Sequence, residues 1–259
     1  MMGNYITFMG KEITETLRNR RLLVLACVFI SFAILGPLMG RYLVEVISMV
    51  VPGDDLDFLT PMFPDPTWVD GYANFYANLA QVGVITVILL YMGVILDEKR
   101  RGTAPMMLMK GLSHTAFVIS KFTIMSLTTL VVMLVSAPIA HLYTYILFET
   151  AGNLWEMMLG GVIFWVFLLF TMALMMFFST IAQKPPHVAI YGFLAYFAMV
   201  ILDMFPNIRE FLPYGLTIRA IQVSTGHFHE HLIANLLISL AGTVALLVAS
   251  IHILKKKEL

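Results

Sequence analysis

His227-Phe228-His229-Glu230-His231 places three imidazoles and a carboxylate within five residues, a donor density suited to zinc or copper. On a helix only His227 and His231 share a face, whereas on a strand all three histidines do. No Cys or Asp completes a ligand shell, so interfacial polar packing is the expected role and His227, His229 and His231 are weak metal candidates. Other chemistry is absent from the sequence. Gly10-Lys11 lacks the upstream glycine and the following Ser or Thr of a phosphate-binding loop, and no Gly-x-Gly-x-x-Gly, His-Glu-x-x-His or Gly-x-Ser-x-Gly occurs. The densest charge lies elsewhere, in Asp97-Glu98-Lys99-Arg100-Arg101-Gly102-Thr103, flanked on both sides by long apolar runs. Such a knot does no bond chemistry by itself; it suits a membrane surface that faces a partner.

The surrounding elements follow from composition. With 259 residues, 59% hydrophobic, 12% charged and a mean hydropathy of +0.86, the chain has too little polar surface for a soluble domain. Runs able to cross roughly 30 Å of hydrocarbon extend from Leu22 to Gly40, Tyr76 to Leu96, Phe122 to Ala140, Met157 to Ala182, Val188 to Leu202 and Leu232 to Leu254. The fifth is short unless it borrows His187 and Asp203 to Phe205, which leaves a broken or re-entrant segment open. Of the 16 Lys and Arg residues, all but Arg41, Arg209 and Arg219 fall on the side of the amino terminus, so the positive-inside rule places both termini in the cytoplasm. The lone Cys27 sits inside an apolar run and builds no disulfide framework. About twenty mostly polar residues precede the first span without a cleavage pattern after it, so that span is expected to be retained.

Residues 1–21 predict an interfacial helix, with Tyr5, Ile6, Met9, Ile13 and Leu17 on one face and Lys11, Thr14, Glu15 and Arg18 on the other. Residues 97–121 predict a cytoplasmic loop whose short helix starts near Thr103 and presents Met106, Met107, Leu108 and Met109 beside Lys110; a plain basic loop with Thr103 as helix cap is the alternative. Outside, residues 41–70 read as an irregular lid rich in Pro, and residues 203–231 as a partly re-entrant, partly helical segment too apolar for a free loop. Gly36 and Gly40 in the first span and Ser239, Gly242 and Thr243 in the last are spaced for helix contacts.

No Asp, Glu, Lys or Arg lies in the central part of any span, where each would cost about 2.5–3.5 kcal/mol on insertion. Carriers driven by ion gradients need such groups, which leaves backbone-coordinated sodium on that route and otherwise moves the energy source to another polypeptide.

The amphipathic start with Lys11-Glu12 and Arg18-Asn19-Arg20, six spans, Glu98 to Thr103 after the second span, Lys121 opening the third, the short turn at Gln183 to His187 and the apolar stretch before the last span together resemble the permeases of type-2 ABC exporters. Where that family often has a Pro-Val-Ser-Arg-like turn, this chain has Gly111-Leu112-Ser113-His114. The resemblance implies an all-α integral membrane protein with an elbow helix and six spans. It implies coupling to an ATPase through Glu98, Arg100, Arg101, Gly102, Thr103, Met106, Met107, Lys110 and Lys121, with Lys11, Glu12, Arg18 and Arg20 on the elbow helix. Two ATPase subunits would bind ATP and magnesium, none of it on this chain. A second permease subunit, identical or paralogous, would complete an exporter of amphipathic peptides, drugs or lipid-like molecules in a prokaryotic plasma membrane. A membrane-embedded lipid-modifying enzyme or protease, and a non-catalytic scaffold or immunity protein, are the rival readings. On the exporter reading, Glu98→Lys and Gly102→Val leave insertion and abundance near normal while transport fails.

Overall fold

The computed structural model describes residues 10, 12–16, 18–50, 65–109, 111–228 and 231–256, and those residues contain helices and no strand. After a short amino-terminal helical segment come α1 (Arg21–Val50), α2 (Trp68–Asn78), a π-helical turn (Leu79–Gly83), α3 (Val84–Tyr91), α4 (Leu96–Arg100) and α5 (Thr103–Met109). Then follow α6 (His114–Phe148), α7 (Leu154–Ile181), α8 (Pro185–Asp203), α9 (Pro206–Arg209), α10 (Gly215–Ser224) and α11 (Leu232–Lys256). Six stretches are long and apolar enough to cross a membrane: Arg21–Leu43, Trp68–Arg100, His114–Phe148, Leu154–Ile181, Pro185–Asp203 and Leu232–Lys256. The chain is a multi-pass helical membrane protein.

Local chemistry sets the helix ends. Thr67 and Asp70 form a reciprocal capping box at α2, Ser113 Oγ accepts the Ala116 amide at α6, and Asn153 Oδ1 accepts the Trp155 amide at α7. Pro185 and Pro186 open α8, where their missing donors cost nothing. The fifth span is one unbroken helix that does include His187 and Asp203. The region 41–70 differs from the irregular lid expected of it, because α1 runs on through Arg41 to Val50 and α2 already begins at Trp68. Residues 51–64 of that region lie outside the described residues.

The helix α7 is the axis of the bundle, packing against α11, α10, α6, α3 and α8. The outward faces of α8 and α11 carry Leu194, Phe197, Leu237 and Val244 in the open, as lipid-facing helices do. Where α1 crosses α2, Gly36 and Gly40 permit backbone contact: a Cβ at Gly36 would lie 2.7 Å from Phe75 Cα, and one at Gly40 would lie 2.9 Å from the Asp70 carbonyl. A chain of aromatic edges, Tyr76–Phe164, Phe164–Phe167, Phe167–Tyr214 and Tyr214–Tyr196, knits α2, α7, α8 and the residue preceding α10 with centroid separations of 5.7–6.1 Å.

Candidate functional site: a buried charge junction

Lys121 lies two turns into α6, far enough to be buried among apolar neighbours yet close enough to the helix start to meet other segments. Its Nζ sits 2.9 and 3.0 Å from the two carboxylate oxygens of Glu12 and 3.1 Å from Oε1 of Glu98. All three side chains are over nine-tenths buried, and the Phe117 ring covers the ammonium at 5.3 Å. The carboxylates of Glu12, Glu15 and Glu98 come within 4.8 Å of one another, so the Lys121 cation is what allows them to gather. Removing one partner of such a buried pair typically costs about 3–5 kcal/mol, because the remaining charge is left in a poor solvent.

Each member arrives on a separate element. Glu12 belongs to the amino-terminal helical segment, which ends in a turn where Arg20 takes a positive φ of 56° before α1 begins. Ile13 on that segment is exposed, lying in an apolar groove with Leu22, Ile124 and Leu127. Among the described residues of this segment the one buried is Glu12, which a simple apolar-face reading passes over. Lys11, Leu17 and residues 1–9, which carry much of the expected amphipathic face, lie outside the described residues. Arg18 and Arg20 are exposed and take no part in the junction.

Glu98 is placed by a break in the second span. Between Tyr91 and Leu96 the regular helix gives way to turns, and Ser179 Oγ on α7 accepts the freed amides of Ile95 and Leu96 at 3.2 and 3.0 Å. That hydroxyl pins α4 to α7 and turns Glu98 inward. Arg100 and Arg101 point outward to the surface. Gly102 reverses the chain with φ +71°, a conformation that favours glycine, and α5 follows. Thr103 is the first residue of α5, not its cap; its hydroxyl donates to the Glu98 carbonyl at 3.1 Å and fastens α5 to the charge junction.

On α5 the methionines divide. Ala104 is buried, Met107 and Leu108 are half-buried, and Met106 and Met109 stand 52% and 82% exposed on one side of the helix. The expected four-residue apolar patch is therefore a two-methionine knob. Lys110 lies outside the described residues. The structure brings Glu12, Glu98 and Lys121 together and hangs Thr103 and α5 from them. It buries Glu98 beside Lys121, where Glu98→Lys would set two cations together, so reduced abundance is the expectation for that variant on this geometry, against the near-normal abundance expected from the sequence; Gly102 stays exposed with open space around it.

At the opposite end of the bundle the two described histidines of this stretch have different polar neighbours. His227 Nδ1 lies 3.4 Å from the Thr225 hydroxyl and His231 Nε2 lies 3.3 Å from Glu210, while His229 and Glu230 lie outside the described residues. A second polar cluster, which sequence reasoning left among external charges, fills this end. Asp203 Oδ2 pairs with Arg209 Nε at 3.2 Å, and Asn235 Nδ2 donates to the carbonyls of Arg209, Glu210 and Leu212 at 3.0–3.2 Å. Arg219 is buried beside them and donates to Gln222 at 2.8 Å; burial lowers its pKa, and burial raises that of Tyr214. The available signal was Asn235, a lone amide at the start of an apolar run.

The Glu12–Lys121–Glu98 junction is a clamp: it ties the amino-terminal helical segment, α4 and α6 together and presents α5 beside them. No model of a known protein family matches the chain, and no curated protein matches it.

Proposed function

We propose that this chain is the membrane-spanning permease subunit of an ABC exporter. The observation that carries the reading is the convergence of Glu12, Glu98 and Lys121 on one buried junction, with the exposed Met106 and Met109 of α5 mounted on it through Thr103. Force applied to the knob by a partner reaches three elements at once, because the charges that join them cannot separate cheaply. Methionine suits a contact that slides without parting. On this reading the amino-terminal segment is the elbow helix, both termini are cytoplasmic, and α5 is the coupling helix of a cytoplasmic loop. The partner is an ATPase in two copies that holds ATP and magnesium; a second permease subunit completes the pathway, and the cargo is amphipathic.

The reading is tested by purifying the tagged chain from its native membranes and assaying ATP hydrolysis in the complex. We expect an ATPase to co-purify and Met106→Asp with Met109→Asp to release it while the chain keeps its thermal stability. If the wild-type chain carries no ATPase, or if the aspartate pair leaves the ATPase bound and fully coupled, the exporter reading falls and a membrane scaffold takes its place.

A further inference from the structure

The groove beside Ile13 has a volume of about 230 Å³ and lies between three elements: Ile13 and Thr16 on the amino-terminal segment, Leu22 on α1, and Ile124, Leu127 and Val131 on α6. Thr128 also reaches its wall, but its hydroxyl donates to the Ile124 carbonyl at 2.7 Å and so is engaged within α6. Both α1 and α6 contain membrane-crossing stretches, and Leu127, Val131 and Val135 stand exposed at four-residue intervals. The groove therefore runs out into a lipid-facing stripe of α6.

Shape and charge select the occupant. The α6 wall from Ile124 to Val131 is about 10 Å long, which gives the groove a mean section of about 23 Å², roughly a quarter of that of a helix with its side chains. A second helix cannot enter such a slot, whereas a single hydrocarbon chain can. Cavities of about 150 Å³ hold benzene, so this volume takes roughly nine carbons of a chain whose remainder follows the exposed stripe. The stretch that joins the wall residues Thr16 and Leu22 carries Arg18, Arg20 and Arg21. Each is within two residues of a wall residue, so its Cα is no more than about 7 Å from one. Arg18 and Arg20 are exposed. The nearest acid in sequence, Glu15, shares a recess with Arg18 and accepts a hydrogen bond from Asn19 at 3.4 Å. With Glu15 offsetting one of the three arginines, a net positive charge remains beside an apolar slot, within the about 8–10 Å over which charges act in physiological salt.

We propose that this groove binds an anionic diacyl phospholipid, with one acyl chain lying along α6 and the phosphate attracted by the arginines between Thr16 and Leu22. Bilayer hydrocarbon is as apolar as the groove, so the chain fixes position and the headgroup confers preference. Arg18 and Arg20, which the charge junction leaves out, thereby acquire a role. The inference rests on the chain's place in a membrane and not on the exporter reading.

The test is photolabelling of the purified chain in detergent with phosphatidylglycerol that bears a diazirine in one acyl chain, followed by peptide mapping. Saturable labelling is expected on peptides that contain residues 124–131. Unlabelled phosphatidylglycerol should displace the probe about 25-fold better than phosphatidylcholine, at about fivefold for each uncompensated arginine. Arg18→Gln with Arg20→Gln should make the two lipids compete equally while leaving the melting temperature unchanged, since both side chains are exposed. Val131→Trp fills the slot and should abolish labelling of residues 124–131. Lys255→Gln with Lys256→Gln, at the end of α11, should change nothing. Equal competition by phosphatidylcholine in the wild type, undiminished preference in the arginine variant, undiminished labelling in Val131→Trp, or an equal loss in the lysine variant would overturn the proposal. So would a disulfide between two copies of Leu127→Cys in a Cys27→Ser background, which would put a second chain on the groove. None of these outcomes involves an ATPase, so they leave the exporter reading untouched.

Discussion

The two ends of the bundle hold charge in different ways. At one end a single lysine draws Glu12 and Glu98 together from distant parts of the chain, with all three side chains buried. At the other, Asp203 and Arg209 pair along one short stretch while Asn235 gathers three backbone carbonyls, and Oδ1 of Asp203 is left without a hydrogen-bonding partner among the described residues. The first arrangement resists relative motion of its elements, since parting any of them strands a charge. The second holds a loop in shape.

The largest expected effect breaks the first end. Lys121→Met should lower stability by about 3–5 kcal/mol by stranding two carboxylates, read as a fall in thermal midpoint in detergent. Adding Glu12→Gln and Glu98→Gln to it should recover most of that loss. If Lys121→Met alone melts like the wild type, the junction is not a clamp.

A smaller loss is expected at the second end. Asn235→Leu removes the donor to the carbonyls of Arg209, Glu210 and Leu212 and should cost about 1–3 kcal/mol, with proteolysis appearing first within residues 205–215. Protection equal to wild type there would mean that water satisfies those carbonyls and that the two ends differ less than drawn above.

Gly102→Val sharpens the comparison by separating stability from transmission. The added side chain meets open space but is forced into a positive φ, a cost of about 1–3 kcal/mol that falls on an exposed turn. Abundance should stay near normal while stimulation of a bound ATPase is lost; full stimulation would make the turn a mere tether. The smallest effect is reserved for the histidines. Changing His227, His229 and His231 together to Ala should shift stability by less than about 0.5 kcal/mol and leave metal content unchanged. Loss of stoichiometric zinc on that change would restore the metal site.

The six spans were legible because hydrocarbon thickness imposes a length on apolar runs; several helices extend past the expected run, as α2 does back to its capping box at Thr67 and Asp70. Glu98, Gly102 and Lys121 were legible as candidates from their order along the chain. That Lys121 serves both carboxylates was not, since a pairing across so many residues depends on how helices pack and leaves no local pattern. The π-helical turn was equally hidden: it interrupts the run from Leu79 to Gly83 without any proline. Asn235, by contrast, carried a signal that the sequence reading did not use, a lone amide within an apolar run.

Glu12 and Lys121 are 109 residues apart, which orders events during synthesis. At roughly 5–20 residues per second, Glu12 leaves the ribosome about 5–20 s before its cation exists. Through that interval the amino-terminal helix has no Lys121 to bind and must wait in contact with water or lipid headgroups. Insertion of the third span then supplies the counter-ion and draws the first helix down. The junction therefore cannot form until α6 has been synthesised.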